Sequence, residues 1–301
     1  MTTFRNTFRQ ATAPLRALKA RYWPLIKTLQ TLLLLSTGMA GYLSAHAPGP
    51  HLPANWGLFL GLSGSLFLAI SGSTVLNMWY DNDIDAKMKR TCSRPLANGT
   101  VSLDEALRLG LLLSTTGVAW AAWLSPLFGL VVFSGLFFDV VVYTIWLKRR
   151  TCWSIVWGGI SGGMPILAGR ALATGQIDAI GLLLTLAVLF WIPTHILTFS
   201  MRYFDDYQAA GVPTFPSTYG FDATRKIIAV SSILAALTMS AASAWIGMTA
   251  GALGVLAVLS VGLLILALTT WFRPSNKINF MLFKYASLYM LSAMLLLALG
   301  M

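Results

Sequence analysis

The sequence predicts an all-α, polytopic membrane protein with about nine transmembrane helices. Three observations predict it. The chain is 56% hydrophobic, with a mean hydropathy of +0.71. Only 10% of its residues are charged, against ~25% in an ordinary soluble domain. Apolar stretches near or above the ~20 residues that cross a bilayer recur along the whole length.

The spans fall at about 23–45, 56–80, 103–124, 126–147, 154–174, 180–201, 225–247, 250–271 and 279–300. Ser125-Pro126 and Thr249-Ala250 are short connectors, whereas 81–102 and 202–224 are long and polar. Pro and Gly punctuate the remainder. No linker divides the chain, so residues 23–301 read as a single domain preceded by a cytoplasmic tail, residues 1–22. The first 27 residues carry six basic side chains and no acid, which also resembles a transit peptide for a mitochondrial inner membrane; a cytosolic tail is the preferred reading.

With the N-terminus inside, 19 of the 21 Lys and Arg residues lie on one side, all but Arg170 and Lys284. The positive-inside rule then orients the chain in a cell membrane with a cytoplasmic N-terminus. The net charge of +11 reflects loops facing the cytoplasm and anionic lipid rather than nucleic acid. Cys92 and Cys152 have no paired spacing, so neither a disulfide nor a zinc site is expected. His46 and His51 fall in a Pro/Gly-rich loop and read as solvated.

Five of the ten acidic residues sit in two clusters, each at the end of an apolar run. The first is Asn77-Met-Trp-Tyr-Asp81-Asn-Asp83-Ile-Asp85. The second is Arg202-Tyr-Phe-Asp205-Asp206-Tyr207. Carboxylates this close repel one another unless a cation sits between them. Asn77, Asp81 and Asp85 are spaced four apart, so on a helix they share one face, drifting only about 40° per step; Asp83 points away. Three oxygen ligands on one stripe suit Mg²⁺, which keeps part of its shell for substrate phosphates. Lys87, Arg90, Arg94, Lys148 and Arg149 follow closely enough to clamp an anion that arrives with the metal, and a diphosphate fits that description. Asp206, with a turn fixed by Gly211 and Pro213, is placed to hold a second metal on the opposite edge.

Two ionisable groups lie inside spans. His195, in Trp191-Ile-Pro193-Thr-His195, is either a ligand or substrate contact or a hydrogen-bonding group between helices. Asp139 precedes Tyr143 by four residues and should face the interior rather than lipid.

Together these residues resemble the UbiA-type intramembrane prenyltransferases. The resemblance is carried by Asn77-x-x-x-Asp81-x-x-x-Asp85 with Arg90-Thr-x-x-Arg94-Pro95. Tyr143-Thr-x-x-Leu147-Lys148-Arg149, the glycine-rich 158–169 segment, Trp191-x-x-x-His195 and Asp206-Tyr207-x-x-Ala210-Gly211-Val-Pro213 support it. It runs from about residue 70 to 220. Within that superfamily the chain is most similar to the haem-farnesylating branch. Departures are the Ile-Pro-Thr order before His195, Thr214-Phe215 within the second motif, and Arg202 where other members carry an acid.

The resemblance implies one bundle around a central cavity open to the cytoplasmic side. It implies that farnesyl diphosphate binds with Mg²⁺ between the two acid loops. Asn77, Asp81, Asp85 and Asp206 would hold the metal. Lys87, Arg90, Arg94, Lys148, Arg149, Arg202, Asp205, Tyr207 and Tyr143 would bind substrate. The leaving diphosphate would be stabilised, a vinyl group of haem b would attack the allylic cation, and water would complete a hydroxyethylfarnesyl side chain. His195 would orient the porphyrin or bind its iron. Membrane lipid, and a haem A synthase or terminal oxidase assembly, are the implied partners. Competing readings are a prenyltransferase acting on a quinone precursor or other lipid, a transporter with buried acids and broken helices, and a structural subunit of an oxidase.

Overall fold

The computed structural model describes residues 18–45 and 55–299. Most of the basic N-terminal tail, His46, His51 and the C-terminal Met301 lie outside the described residues. After a 3₁₀ turn at Trp23–Ile26 come α1 (Thr28–Leu43), α2 (Trp56–Tyr80), the short α3 (Asn82–Lys87), α4 (Leu103–Leu124) and α5 (Pro126–Leu136). Helix α5 continues without a break as a π-helix, Phe137–Leu147. Then follow α6 (Ser154–Thr174), α7 (Ala179–Arg202), the short α8 (Phe204–Ala209), α9 (Phe215–Ile246), α10 (Ala250–Phe272) and α11 (Asn276–Leu299). No strand occurs among the described residues.

Helix starts are written in short polar side chains. Asn55, Ser102, Ser125, Asp178 and Thr249 each accept a backbone N–H from the first turn of the following helix. Thr214 and Ser217 form a reciprocal capping box at the head of α9. Pro126 and Pro216 occupy first-turn positions, where no N–H is needed.

Among the described residues, seven helices are long and apolar enough to cross a membrane: α2, α4, α5 with its π extension, α7, α9, α10 and α11. The other two of the nine expected spans correspond to α1, 16 residues long, and α6, diluted by glycine, serine and Arg170. This is an integral membrane protein. Successive long helices pack against one another, and α11 returns to pack on α1 and α7, closing the bundle. Large apolar side chains such as Trp123, Phe272 and Val258 face outward, where lipid covers them.

Inside, the packing is close because small residues line the contacts. A Cβ on Gly169 of α6 would stand 1.9 Å from the carbonyl oxygen of Gly38 in α1, and one on Gly41 would stand 2.1 Å from that of Ile166. The two backbones therefore touch. At the end of α6, buried Arg170 donates to both Asp178 oxygens and, at 2.9 Å, to the Ser44 carbonyl, tying α1, α6 and α7 together. Arg170 opposes the end at which both acid clusters lie. The Arg170 hydrogen bond holds the Asp178 carboxyl below the ordinary range.

Candidate active site

Helix α2 runs to Tyr80, and Asp81 caps it before the chain re-enters α3. The turn stays helical: the Asp81 N–H donates to Asn77 O and the Asp85 N–H to Asp81 O. Asp81 and Asp85 are therefore buried, at 4% and 5% exposure, while Asp83 between them is exposed.

Each carboxylate meets a cation. Lys148, at the end of the π-helix, pairs with Asp81 Oδ2. One Arg94 nitrogen donates to both Asp85 oxygens, at 2.7 and 2.6 Å. Arg149 forks onto Asp83 at 2.9 and 2.7 Å and also reaches the Tyr80 carbonyl. Thr91 donates to the Asp85 carbonyl and so folds the 88–94 turn back beneath α3.

The second acid loop packs on the first. Ile84 and Met88 meet Val212, with Tyr207 and Ala210 against them. Gly211 takes the left-handed φ of 69° that the turn requires. The Arg90 N–H donates to Asp206 Oδ2 at 3.3 Å, and the Arg90 guanidinium lies over the Tyr203 ring. Tyr143 and Tyr207 both lie within electrostatic reach of Lys148. Burial works against the Lys148 ammonium, but Tyr143 and Asp81 outweigh it and its pKa is raised.

Several expected residues take other positions. Asn77 turns toward the π-helix rather than toward Asp81: its amide donates to Asp139 Oδ2 at 2.8 Å and its carbonyl oxygen accepts from Thr144. Arg202 is exposed and lies over Phe280 of α11. Lys87 and Asp205 are exposed. His195 lies in a ladder of rings along α7, between Trp191 and Phe199 and against Phe283, with Phe199 stacked on Tyr203 below. Its Nδ1 is buried without a hydrogen-bond partner.

One residue beside the first acid loop escapes sequence reasoning. Lys27 belongs in the sequence to the run of basic N-terminal residues. In the fold it stands at the head of α1, half-buried, within electrostatic reach of Arg94, Lys148, Asp85 and Asp139. It is the one non-glycine residue with positive φ among the described residues, at 44°, a conformation that costs ~1 kcal/mol and persists where surroundings impose it. Burial first, then Arg94 and Lys148, pull its ammonium down to about 8. The available signal was its place immediately before an apolar run, on the same side as both acid clusters.

Among the described residues no three His, Cys, Asp or Glu side chains converge as a ready-made metal cage. The donor set still fits one Mg²⁺ that arrives with substrate. Asp81 Oδ1 is buried with no hydrogen-bond partner, an orphaned acceptor that is costly unless something else completes it. Mg²⁺ needs only one or two carboxylates when phosphate oxygens supply the rest, and the open Asp81 oxygen is one such donor.

The sequence matches the UbiA prenyltransferase family over residues 34–299. A protein named protoheme IX farnesyltransferase from Korarchaeum cryptofilum is 43% identical over 210 residues, 70% of this chain and 69% of that one. One of the same name from Pyrobaculum arsenaticum is 37% identical over 255 residues, 83% of this chain and 90% of that one. Among solved structures, a digeranylgeranylglyceryl phosphate synthase superposes with a TM-score of 0.77 at 17% identity, covering 93% of this chain and 97% of that one. A UbiA homologue from Archaeoglobus fulgidus bound to GPP and Mg²⁺ gives 0.65 at 16% identity, covering 92% and 99%. The structural likeness shows a shared fold, and with the sequence match over most of the length it follows that this chain belongs to the UbiA prenyltransferase family.

Proposed function

We propose that the protein transfers a farnesyl group from farnesyl diphosphate to a vinyl group of haem b, giving haem O. Two features support this reading: its curated relatives carry the name protoheme IX farnesyltransferase, and its two acid loops meet beside a cluster of basic side chains. The observation that carries it is the buried, unpartnered Asp81 oxygen opposite Lys148.

Asp81, Asp85 and Asp206 would hold Mg²⁺, with Asn77 supplying a neutral oxygen. The ion, when bound, supplies positive charge that favours departure of diphosphate. Lys148, Arg94 and Lys27 bind the phosphate oxygens and stay with them as charge accumulates during C1–O cleavage. Arg90 steers the anion from the loop edge. Trp191, Phe199 and Tyr203 shield the allylic cation from water and favour it through their ring faces. His195 orients the porphyrin. The haem vinyl carbon then bonds to farnesyl C1, and water adds to the adjacent carbon with loss of a proton.

The same reading has residues 23–301 as one catalytic domain in a cell membrane, with both acid loops and the N-terminus in the cytoplasm and a cavity opening there. The product would pass to a haem A synthase or terminal oxidase assembly.

Incubation of the purified protein with farnesyl diphosphate, haem b and Mg²⁺, read by mass spectrometry, tests the reaction. Haem O is the expected product. No haem O alongside a prenylated quinone precursor or lipid would move the chain to another acceptor within its family.

A further inference from the structure

One polar cluster that this reaction leaves without a full role surrounds Asp139. The wide turn of the π-helix puts Asp139 and Thr144 one turn apart, and the Thr144 hydroxyl can donate to the Asp139 carbonyl at 2.8 Å. Lys148 follows on the same side. Facing them, α2 presents Ser73, Asn77 and Asp81 at four-residue spacing. Ser73 donates to Asp139 Oδ2, and the Asn77 amide donates to the same oxygen at 2.8 Å. Thr144 donates to Asn77 Oδ1 at 2.8 Å, and Lys148 pairs with Asp81.

This arrangement removes the ambiguity of an amide. Asn77 could present either its oxygen or its NH₂ to a neighbour, but Asp139 Oδ2 acts here as an acceptor, for Ser73 as well as for Asn77. The NH₂ therefore goes to Asp139, and the oxygen is left to the Thr144 hydroxyl. The Thr144 hydroxyl has one hydrogen and two acceptors in reach, Asn77 Oδ1 and the Asp139 carbonyl, at equal distance. It can turn to the carbonyl and release the Asn77 oxygen without leaving an orphaned donor.

We propose that Asp139 is a positioning residue that locks the Asn77 amide so that Oδ1, not the NH₂, is offered to the metal–diphosphate substrate. The proposal rests on the prenyl-transfer reading above. It makes the π-helix part of the catalytic apparatus, because a regular α-helical turn would not bring Asp139, Thr144 and Lys148 to one face.

The test is binding rather than turnover. Mn²⁺ binding to the detergent-purified protein is measured in the presence of inorganic pyrophosphate, for wild type, Asp139→Asn, Asp81→Ala and the exchange Asn77→Asp with Asp139→Asn. Asp139→Asn lets the amide flip and weakens Mn²⁺ binding roughly tenfold. The exchange again sets an acceptor against a donor, with the same net charge, and restores affinity to within about threefold of wild type. Because the exchange preserves the buried atoms and charge, it reads out even where the single variant fails to fold. Wild-type affinity in Asp139→Asn, or an exchange that binds no better than Asp139→Asn, overturns the positioning role while loss in Asp81→Ala leaves the metal site standing. Equal binding by wild type and Asp81→Ala removes the prenyl-transfer reading itself, and the positioning role with it.

Discussion

The backbone amide of Arg90 donates to the side chain of Asp206 at 3.3 Å, joining positions 116 residues apart in the chain. This contact, with the Ile84–Met88–Val212 cluster behind it, holds the two acid loops against each other. The two acids of the second loop thereby stand in different surroundings. Asp206 faces the first loop, whereas Asp205 is exposed. Asp206→Ala is expected to lower kcat/KM for prenyl transfer about 100-fold, and Asp205→Ala only a few-fold. Steady-state turnover of the two variants checks this, and equal losses would contradict it.

The first loop sorts in the same way. Asp81 and Asp85 are buried and Asp83 is exposed. Asp81→Asn or Asp85→Asn should abolish prenyl transfer while the protein still accumulates in the membrane. Asp83→Asn, which loses an exposed pair with Arg149, should retain activity within a few-fold. Turnover retained by Asp81→Asn would refute the metal role.

Lys27 sets a pH dependence. Its ammonium is pulled down to about 8 in the free protein, so it is charged below that pH and neutral above it. An anionic diphosphate needs the charged form. The kcat/KM for farnesyl diphosphate, which reports groups of the free enzyme, should therefore fall as pH rises through about 8. Lys27→Arg keeps its charge at all these pH values and should flatten that limb. Lys27→Ala should flatten it at a level roughly tenfold lower. A limb that persists in Lys27→Arg belongs to another group.

At the opposite end of the bundle, Arg170 and Asp178 predict stability rather than activity. Asp178→Ala leaves a guanidinium buried without its carboxylate and removes the cap on Gly181. The expected destabilisation is about 3 kcal/mol, read as a lower Tm in detergent. The Asp178 carboxyl is held below its ordinary pKa, so the pair contributes fully above the unfolded carboxyl range and loses its contribution as pH falls through the folded value. A variant as stable as wild type at neutral pH would show that the pair carries no such weight.

The helices were legible because lipid imposes a simple rule: backbone groups must be satisfied within a segment, so long apolar runs become helices. Asp81 and Asp85 were legible because four-residue spacing fixes a face. What could not be read depends on helix geometry that spacing alone does not show. The π turn moves Asp139 and Thr144 to the side that meets Asn77, so Asn77 points to a neighbouring helix although it shares the stripe of Asp81. Lys27 looked like one more topological charge. Its position depends on where α1 docks, which α6, far along the chain, helps to set. Arg202 has the opposite character: adjacent to the motif in sequence, it lies over Phe280.

The contact of α1 with α6 bears on biosynthesis. Gly38 and Gly41 meet Gly169 and Ile166 at backbone distance, and Ser44 accepts from Arg170, 126 residues later. Helix α1 therefore completes its seat only when α6, with Arg170 126 residues after Ser44, has been made. Until then the glycine face of α1 is covered only where α2 reaches it, at Leu66 beside Gly38.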